Sequence, residues 1–289
     1  MRLRSIELNV PDIAAASAFL TDVWGVADAG VQGQTRYLTG SGGFPYLVAL
    51  SEAEAPSIRC VTFTASPTDV DAIRARAISE GVPVQATTSD DPGGGEGILI
   101  QAPEGEVFRF LHGDTTVAAP QGDDLPVKLT HVVMNATDAE ASADFAERVL
   151  GFRVSDRTRG MVFVRCNTAH HSIAFARAGF SSLNHIAFEM ADLDAVMRGI
   201  GRLRDAGATP DWGPGRHGPG DNVFAYYIAP FGAVVEFSTA VETVDDHYRV
   251  GVPDDWTWPE NRIDQWGMSD KRVEALCEAE RTFRFAPIA

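Results

Sequence analysis

The chain is poor in cysteine, in cations and in long apolar runs, and each shortage removes a class of protein. Its three cysteines, Cys60, Cys166 and Cys277, are scattered without paired spacing. Neither a disulfide framework nor a thiolate metal module is expected from them, and the usage fits a reducing compartment. Cytoplasmic location is therefore the expectation. Lys and Arg number 24 against 40 Asp and Glu, for a formal net charge of -16. Phosphate backbones need clustered Lys and Arg, so no nucleic-acid partner is expected. No apolar run approaches the ~20 residues that span a bilayer, so no membrane partner is expected either. The opening Met1-Arg-Leu-Arg-Ser-Ile-Glu7 reads as a strand and not as a cleavable signal.

What is present is ordinary globular composition, 45% hydrophobic and 22% charged over 289 residues, enough for two domains. The chain also repeats itself. Leu3-Arg-Ser5-Ile-Glu-Leu-Asn-Val-Pro-Asp12 returns as Leu129-Thr-His131-Val-Val-Met-Asn-Ala-Thr-Asp138. Ile58-Arg-Cys60-Val-Thr-Phe returns as Leu183-Asn-His185-Ile-Ala-Phe, and Ala102-Pro-Glu-Gly-Glu-Val-Phe-Arg109 as Ala229-Pro-Phe-Gly-Ala-Val-Val-Glu236. The offsets, by subtraction, are 126 for Asp12 and Asp138, 125 for Cys60 and His185, 126 for Gly81 and Gly207, and 127 for Arg109 and Glu236. A near-constant offset over four landmarks fixes the architecture.

Each half reads strand, helix, several strands, twice over. The segment after His131 carries helix signals: Thr137 with Glu140 as a capping-box pattern, an apolar face of Ala143, Phe145, Val149 and Leu150, and Gly151 at the end. The alternation in His131-Val-Val-Met and Ala233-Val-Val-Glu-Phe reads as strand. An α+β fold of four βαβββ modules is expected, in two tandem domains at 1–115 and 128–245. Residues 114–127, with Pro120, Gly122 and Pro126, read as the linker. Residues 246–289 lie outside the repeat. Their Trp256, Trp258, Pro259 and a charged helix near Lys271–Arg284 suggest a tail packed on the C-terminal half.

The halves differ where chemistry matters. His131, His185 and Glu236 stand opposite Ser5, Cys60 and Arg109, so only the second half can bind a metal. Alternate strand residues share a face, and three neighbouring strands can aim three ligands at one point. A lone histidine in a strand is more often a satisfied core residue. A carboxylate between Val235 and Phe237 is different, because buried carboxylates need a partner. Two imidazoles and one carboxylate on one face of an octahedron is the pattern of non-haem Fe(II) oxygenases.

Around Glu236 the sequence reads G-x-H-x8-Y-x2-A-P-x-G-x3-E, from Gly215 through His217 and Tyr226. This resembles the C-terminal signature of type I extradiol (meta-cleaving) ring dioxygenases, of the vicinal-oxygen-chelate superfamily. The resemblance spans roughly residues 1–245 and is specific at His131, His171, His185, His217, Tyr226 and Glu236; in the first half it is architectural only. It implies curved mixed sheets with flanking helices, Fe(II) as cofactor with Mn(II) as a possible substitute, and a small aromatic diol and O2 as partners. A homo-oligomer is expected.

The resemblance also implies roles. Cys166-Asn-Thr-Ala-His170-His171 looks like the family's double histidine, whose second member does acid–base work on the O2 side; that maps to His171, with His170 as the alternative. Adjacent strand residues face opposite ways, so His170 is expected to point elsewhere. His217 would bond the substrate hydroxylate. Tyr226 would assist deprotonation, chosen over Tyr227 because ten residues separate it from Glu236 in the family. Val133 and Phe163 fall where the family lines the substrate ring, with Met161 and the tail tryptophans as weaker candidates. Ala225 departs from the pattern, which has a larger apolar residue there. In Gly213-Pro-Gly-Arg-His-Gly-Pro-Gly-Asp221-Asn222, glycine lets backbone pass close to a ligand rather than cradling phosphate, since no helix start follows. The competing readings on this fold are a glyoxalase-like lyase or isomerase and a protein that sequesters a small aromatic. Neither needs His171, His217 and Tyr226 together.

Overall fold

The computed structural model describes residues 1–122 and 124–288. The first half forms strands β1 (Arg2–Val10), β2 (Ala27–Gln32), β3 (Thr35–Thr39), β4 (Val48–Glu52), β5 (Ser57–Thr64), β6 (Val84–Thr88), β7 (Glu96–Gln101) and β8 (Val107–His112). The second forms β9 (Lys128–Ala136), β10 (Arg153–Arg157), β11 (Met161–Arg165), β12 (Ile173–Arg177), β13 (Ser182–Glu189), β14 (Trp212–Arg216), β15 (Val223–Ile228) and β16 (Val234–Thr239). Helices α1 (Ile13–Ala18), α2 (Pro67–Ser79), α3 (Ala139–Phe145) and α4 (Leu193–Asp205) each follow the first strand of a module. The order is βαβββ four times, as expected.

The spatial order is repeated too. It runs β2-β3-β4-β1-β5-β8-β7-β6 in the first sheet and β10-β11-β12-β9-β13-β16-β15-β14 in the second, each strand matched by its counterpart eight strands on. The register agrees. Ser5 faces Thr62, and Thr62 faces Arg109; correspondingly, His131 faces Ala187, and Ala187 faces Glu236. Irregularities in the β1–β5 and β9–β13 pairings bend both sheets, and one lies between Leu183 and His185. Such a bulge curves a strand and re-aims a side chain.

Helix α3 starts one residue later than the capping-box pattern suggests. Asp138 is the N-cap and accepts from the Ala141 N–H at 3.0 Å. Thr137 is diverted because Glu104, from the first half, takes its hydroxyl and the Asp138 N–H. Helices α1 and α3 both continue as π-helical turns, to Trp24 and Leu150, and end at left-handed glycines, Gly25 (φ 100°) and Gly151 (φ 74°).

Those two ends interlock the halves. Arg76 of α2 donates to the carbonyls of Val149 and Leu150 at 3.0 and 3.1 Å. Arg202 of α4 donates to the carbonyls of Val23 and Trp24 at 2.8 and 2.6 Å. Each half thus satisfies carbonyls left over at the end of the other's helix. A Cβ on Gly25 or Gly151 would lie 2.5 or 2.4 Å from the visiting guanidinium, so only glycine leaves room. Between these contacts Trp24 stacks on Phe237 (3.7 Å, 12°), and Phe63 meets Phe152 edge-on at 5.2 Å. The apolar core is therefore continuous across the halves.

Residues 114–127 carry no helix or strand among those described, and Asp123 lies outside them. The tail holds α5 (Val273–Ala279), shorter than the charged stretch suggested, and β17 (Arg284–Phe285). The tail touches both halves. The Leu183 N–H donates to the Phe283 carbonyl, while β17 pairs in parallel with β5 of the first sheet. Ala289, the last residue of the expected tail, lies outside the described residues. No helix among the described residues is long and apolar enough to cross a membrane.

Candidate active site

The central strands of the second sheet bring three ligands together. His131 on β9, His185 on β13 and Glu236 on β16 are buried, with one ligand atom each within 4.8 Å of the others. Glu236 Oε2 is 3.1 Å from Nε2 of both His131 and His185, and the two Nε2 atoms are 3.3 Å apart. This is the one such group of metal-type side chains among the described residues.

The hydrogen bonds around the triad show what it needs. Asn222 donates to Glu236 Oε1 at 3.2 Å and to Ser238 Oγ at 2.9 Å, which leaves Oε2 aimed at the imidazoles. His185 Nδ1 lies 2.6 Å from Asn184 Oδ1, so Nδ1 carries the proton. A neutral His185 then turns a bare Nε2 lone pair toward the Oε2 lone pairs. Burial would raise the Glu236 carboxyl, but His131 and His185 outweigh it and hold it below the usual carboxylate range. Burial likewise pulls His185 down against the attraction of Glu236, which favours its neutral form. A neutral His185 cannot donate to Oε2 while it donates to Asn184. A divalent cation held by His131, His185 and Glu236 would resolve that conflict, so the donor set fits a metal. It is also the mixed nitrogen and oxygen set that suits Fe(II) and tolerates Mn(II).

The other motif residues ring the triad. His217 Nε2 is 2.9 Å from the Tyr226 hydroxyl. The Tyr226 ring stacks on Trp212 (5.0 Å, 16°) and stands edge-on to His185 (4.9 Å, 85°). Burial pushes His217 down to about 3, so it is a neutral acceptor or donor at ordinary pH. Burial, reinforced by the Glu236 carboxylate, pushes the Tyr226 phenol well above its usual range. His171 lies with its ring 4.2 Å from that of His131; burial, then the neighbouring imidazoles, lowers it well below the usual range. Tyr227 faces away and packs on Trp24 and Phe237 in the core.

These groups open on a cavity of about 520 Å³. His131, His171, His185, His217 and Tyr226 form its polar wall, and Val133, Met161 and Phe163 an apolar one. The tail covers the rest through Trp258, Ile263 and Leu276. Trp256 instead donates to the Arg157 carbonyl at 3.0 Å, outside the cavity lining. The volume is typical of a small-molecule site.

His170 lies outside the cavity lining that His171 joins, though strand alternation is not the cause. The segment before β12 is irregular, so the paired rings are not forced to opposite faces. They meet at 87°, with Nδ1 3.0 Å from Nδ1. The glycine loop does approach closely: a Cβ on Gly220 (φ 76°) would lie 3.0 Å from His170 and 3.1 Å from His171. Sequence reasoning missed Asn184, Asn222, Trp212 and Asp156. Asn222 is the last residue of the loop between β14 and β15, and Asn184 stands beside a ligand, so proximity to motif residues was a signal. Nothing local marks Asp156.

In the first half, Arg109 takes the place of Glu236. It pairs with Glu7 and with Asp91 (2.9 Å) and donates to Thr62 (3.0 Å) and the Tyr46 hydroxyl (2.8 Å). An ion-pair network fills the face where the second half holds its triad.

The model of the Glyoxalase/Bleomycin resistance protein/Dioxygenase superfamily matches residues 128–237. Metapyrocatechase 2 of Cupriavidus necator is 26% identical over 90% of this chain and 87% of its own. The structure of a Mn(II)-bound glyoxalase from Novosphingobium aromaticivorans is 33% identical, with a TM-score of 0.86 over 95% of this chain and 93% of that one. Homoprotocatechuate 2,3-dioxygenase from Arthrobacter globiformis shares the fold at 21% identity, with a TM-score of 0.86 over 97% and 91% of the two chains.

Proposed function

The chain belongs to the glyoxalase/bleomycin resistance protein/dioxygenase superfamily, and within it we propose that the protein is an Fe(II)-dependent extradiol dioxygenase. It would add O2 to a catechol-type diol and open the ring beside one hydroxyl. One observation carries this reading: His171, His217 and Tyr226 converge on the cavity face of the His131–His185–Glu236 triad. Relatives of this chain are described as meta-cleaving and catechol dioxygenases, which supports it. The metal-bearing unit is residues 128–245; residues 1–115 form the unit without ligands, and 246–289 the tail over the cavity.

The proposed roles follow from position. His131, His185 and Glu236 would hold the metal, which when bound supplies Lewis acidity and a meeting place for diol and O2. Tyr226 and His217 form a hydrogen-bonded pair beside it, placed to orient a substrate hydroxyl and accept its proton. Both are neutral in the buried site, so they offer donors to developing negative charge without adding charge of their own. His171, across the cavity and against His131, is the second acid–base group. Val133 and Phe163 would grip the ring. The cavity volume admits bicyclic as well as monocyclic diols. Manganese is the alternative metal, because the solved structure at 33% identity holds Mn(II). Cytoplasmic location and a homo-oligomer complete the proposal.

That same structure is described as a glyoxalase, which favours a second reading as a lyase or isomerase. Oxygen uptake separates the two. Anaerobically purified protein loaded with Fe(II) is mixed with a panel of catechols, and with a glutathione hemithioacetal. Uptake of O2 with a coloured ring-opened product supports the dioxygenase; thioester formation without O2 replaces it with the second reading.

A further inference from the structure

Asp156 lies on β10, outside the cavity lining, and is fully buried. Its Oδ1 accepts from the Gly251 N–H at 2.7 Å, and its Oδ2 is 2.6 Å from His170 Nε2, with the Tyr248 hydroxyl at 3.2 Å. His170, also fully buried, turns its other nitrogen to His171 Nδ1 at 3.0 Å. Carboxylate, imidazole and imidazole form an unbroken chain that ends in the cavity wall. The chain is anchored by its surroundings: Ser155 Oγ donates to the His170 carbonyl, and Arg165 donates to Ser155 Oγ at 2.9 Å.

With both imidazoles neutral, the direction of every hydrogen bond in this chain follows from its first member. A carboxylate only accepts, so His170 donates from Nε2. A neutral imidazole has one N–H, so His170 Nδ1 is an acceptor. His171 must then donate from Nδ1, and its Nε2 is left with a lone pair. We propose that Asp156 and His170 are positioning residues that hold His171 in its Nδ1–H form, so that Nε2 serves the cavity as a base. This rests on the reading of His171 as an acid–base group. When Nε2 takes a proton from a substrate hydroxyl, the O–H bond breaks, an N–H bond forms and His171 becomes cationic. Its Nδ1–H still points to His170, whose Nε2–H points to the Asp156 carboxylate, so the new charge is met by an opposite one through the chain. The proton returns from Nε2 when the product oxygen needs it. The logic is that of a carboxylate orienting a catalytic imidazole, lengthened by one ring. It also gives the tail a part, since Tyr248 and Gly251 hold the carboxylate from behind.

Asp156→Asn tests this with one atom. Oδ1 remains an acceptor for the Gly251 N–H, so the amide nitrogen takes the place of Oδ2 and donates to His170 Nε2. His170 then carries its proton on Nδ1 and donates to His171 Nδ1, which puts the His171 proton on Nε2. The protein with 15N-histidine is loaded with diamagnetic Zn(II), and imidazole nitrogen shifts report the tautomers; the Fe(II) protein gives kcat and KM. His171 should be Nδ1–H in the native protein and Nε2–H in D156N. Turnover should fall on the order of 10³-fold, with metal content and KM within about twofold of native, as a merely structural role would not predict. Native His171 as Nε2–H, or D156N with a reversed tautomer and full turnover, overturns the proposal. A native Nδ1–H form in a protein that opens no diol supports the tautomer assignment while removing the dioxygenase reading. Should D156N not fold, His170→Gln serves. One amide can donate to Asp156 and accept from His171, so His171 should stay Nδ1–H there, and a lost preference refutes the chain.

Discussion

Glu106 sits at the turn between β7 and β8, 2% exposed, and neither of its carboxyl oxygens has a hydrogen-bond partner. Burial, aided by the nearby Glu104 carboxylate, raises it from 4.5 to about 7. The sign of its effect on stability follows. Below pH 4.5 the carboxyl is protonated in both folded and unfolded chains and adds nothing. Between pH 4.5 and 7 the unfolded chain releases the proton and the folded chain keeps it, so folding becomes less favourable as pH rises. Above pH 7 the folded protein holds an unmet charge at full cost. A shift of that size corresponds to about 3 kcal/mol. Glu106→Gln keeps the volume and removes the titration. Urea unfolding followed by tryptophan fluorescence should show equal stability at pH 4 and a variant more stable by about 3 kcal/mol at pH 8. The repeat supports the choice, because the second half has Ala233 at this turn position, in Ala229-Pro-Phe-Gly-Ala233 against Ala102-Pro-Glu-Gly-Glu106. Parallel stability curves across the pH range would refute the account of Glu106 as an uncompensated buried acid.

Other outcomes are expected at the site and at the seam between halves. Glu236→Ala and His185→Ala should each lose metal and turnover together, by more than the ~10–100-fold that a ligand's outer partners contribute; metal analysis of a variant that stays loaded and active would remove that residue from the ligand set. His171→Phe should keep its metal and lose on the order of 10²–10⁴-fold in turnover, and metal lost from that variant would make His171 a ligand instead. Arg76→Ala and Arg202→Ala each leave two helix-end carbonyls without a guanidinium, so each should cost about 2 kcal/mol in denaturant unfolding. Unchanged midpoints would mean that water replaces the guanidinium at no loss.

Much of this was legible because the chain is written twice. The offset near 126 residues predicted the four modules, and the register pairs of both sheets follow the same correspondence through Ser5, Thr62 and Arg109 and through His131, Ala187 and Glu236. Five of the six motif residues line one cavity, with Glu236 against two of them, because all six sit on, or beside, neighbouring strands of one curved sheet. The illegible parts have a common cause: they depend on partners distant in sequence whose own type is unremarkable. Thr137 looked like a helix cap until Glu104 claimed it. Asp156 looks like any strand aspartate until Tyr248, Gly251 and His170 enclose it. The interlocking arginines could have been found, since Arg76 and Arg202 stand at the repeat offset, but an arginine near a helix end carries no local sign of reaching another domain.

The comparison of the halves bears on why the second one is a site. In both sheets the central strands bury polar groups around one point on the concave face, and a buried carboxylate needs a positive neighbour. The first half supplies that charge covalently: the Arg109 guanidinium is always protonated and is enclosed by Glu7, Asp91, Thr62 and Tyr46. Among the described residues no arginine or lysine pairs with Glu236, which faces His131 and His185; burial favours the neutral form of His185. A cation held by His131, His185 and Glu236 would supply that charge. Placing an arginine at 236 would therefore not merely delete a ligand. Glu236→Arg would bring a fixed cation toward His131 and His185 without the acceptors that surround Arg109, so it should lose metal and also stability, whereas Glu236→Ala loses metal with a smaller loss of stability. Equal unfolding midpoints for the two variants would show that the second face can absorb a charge as the first does, and that the two halves differ in ligands alone.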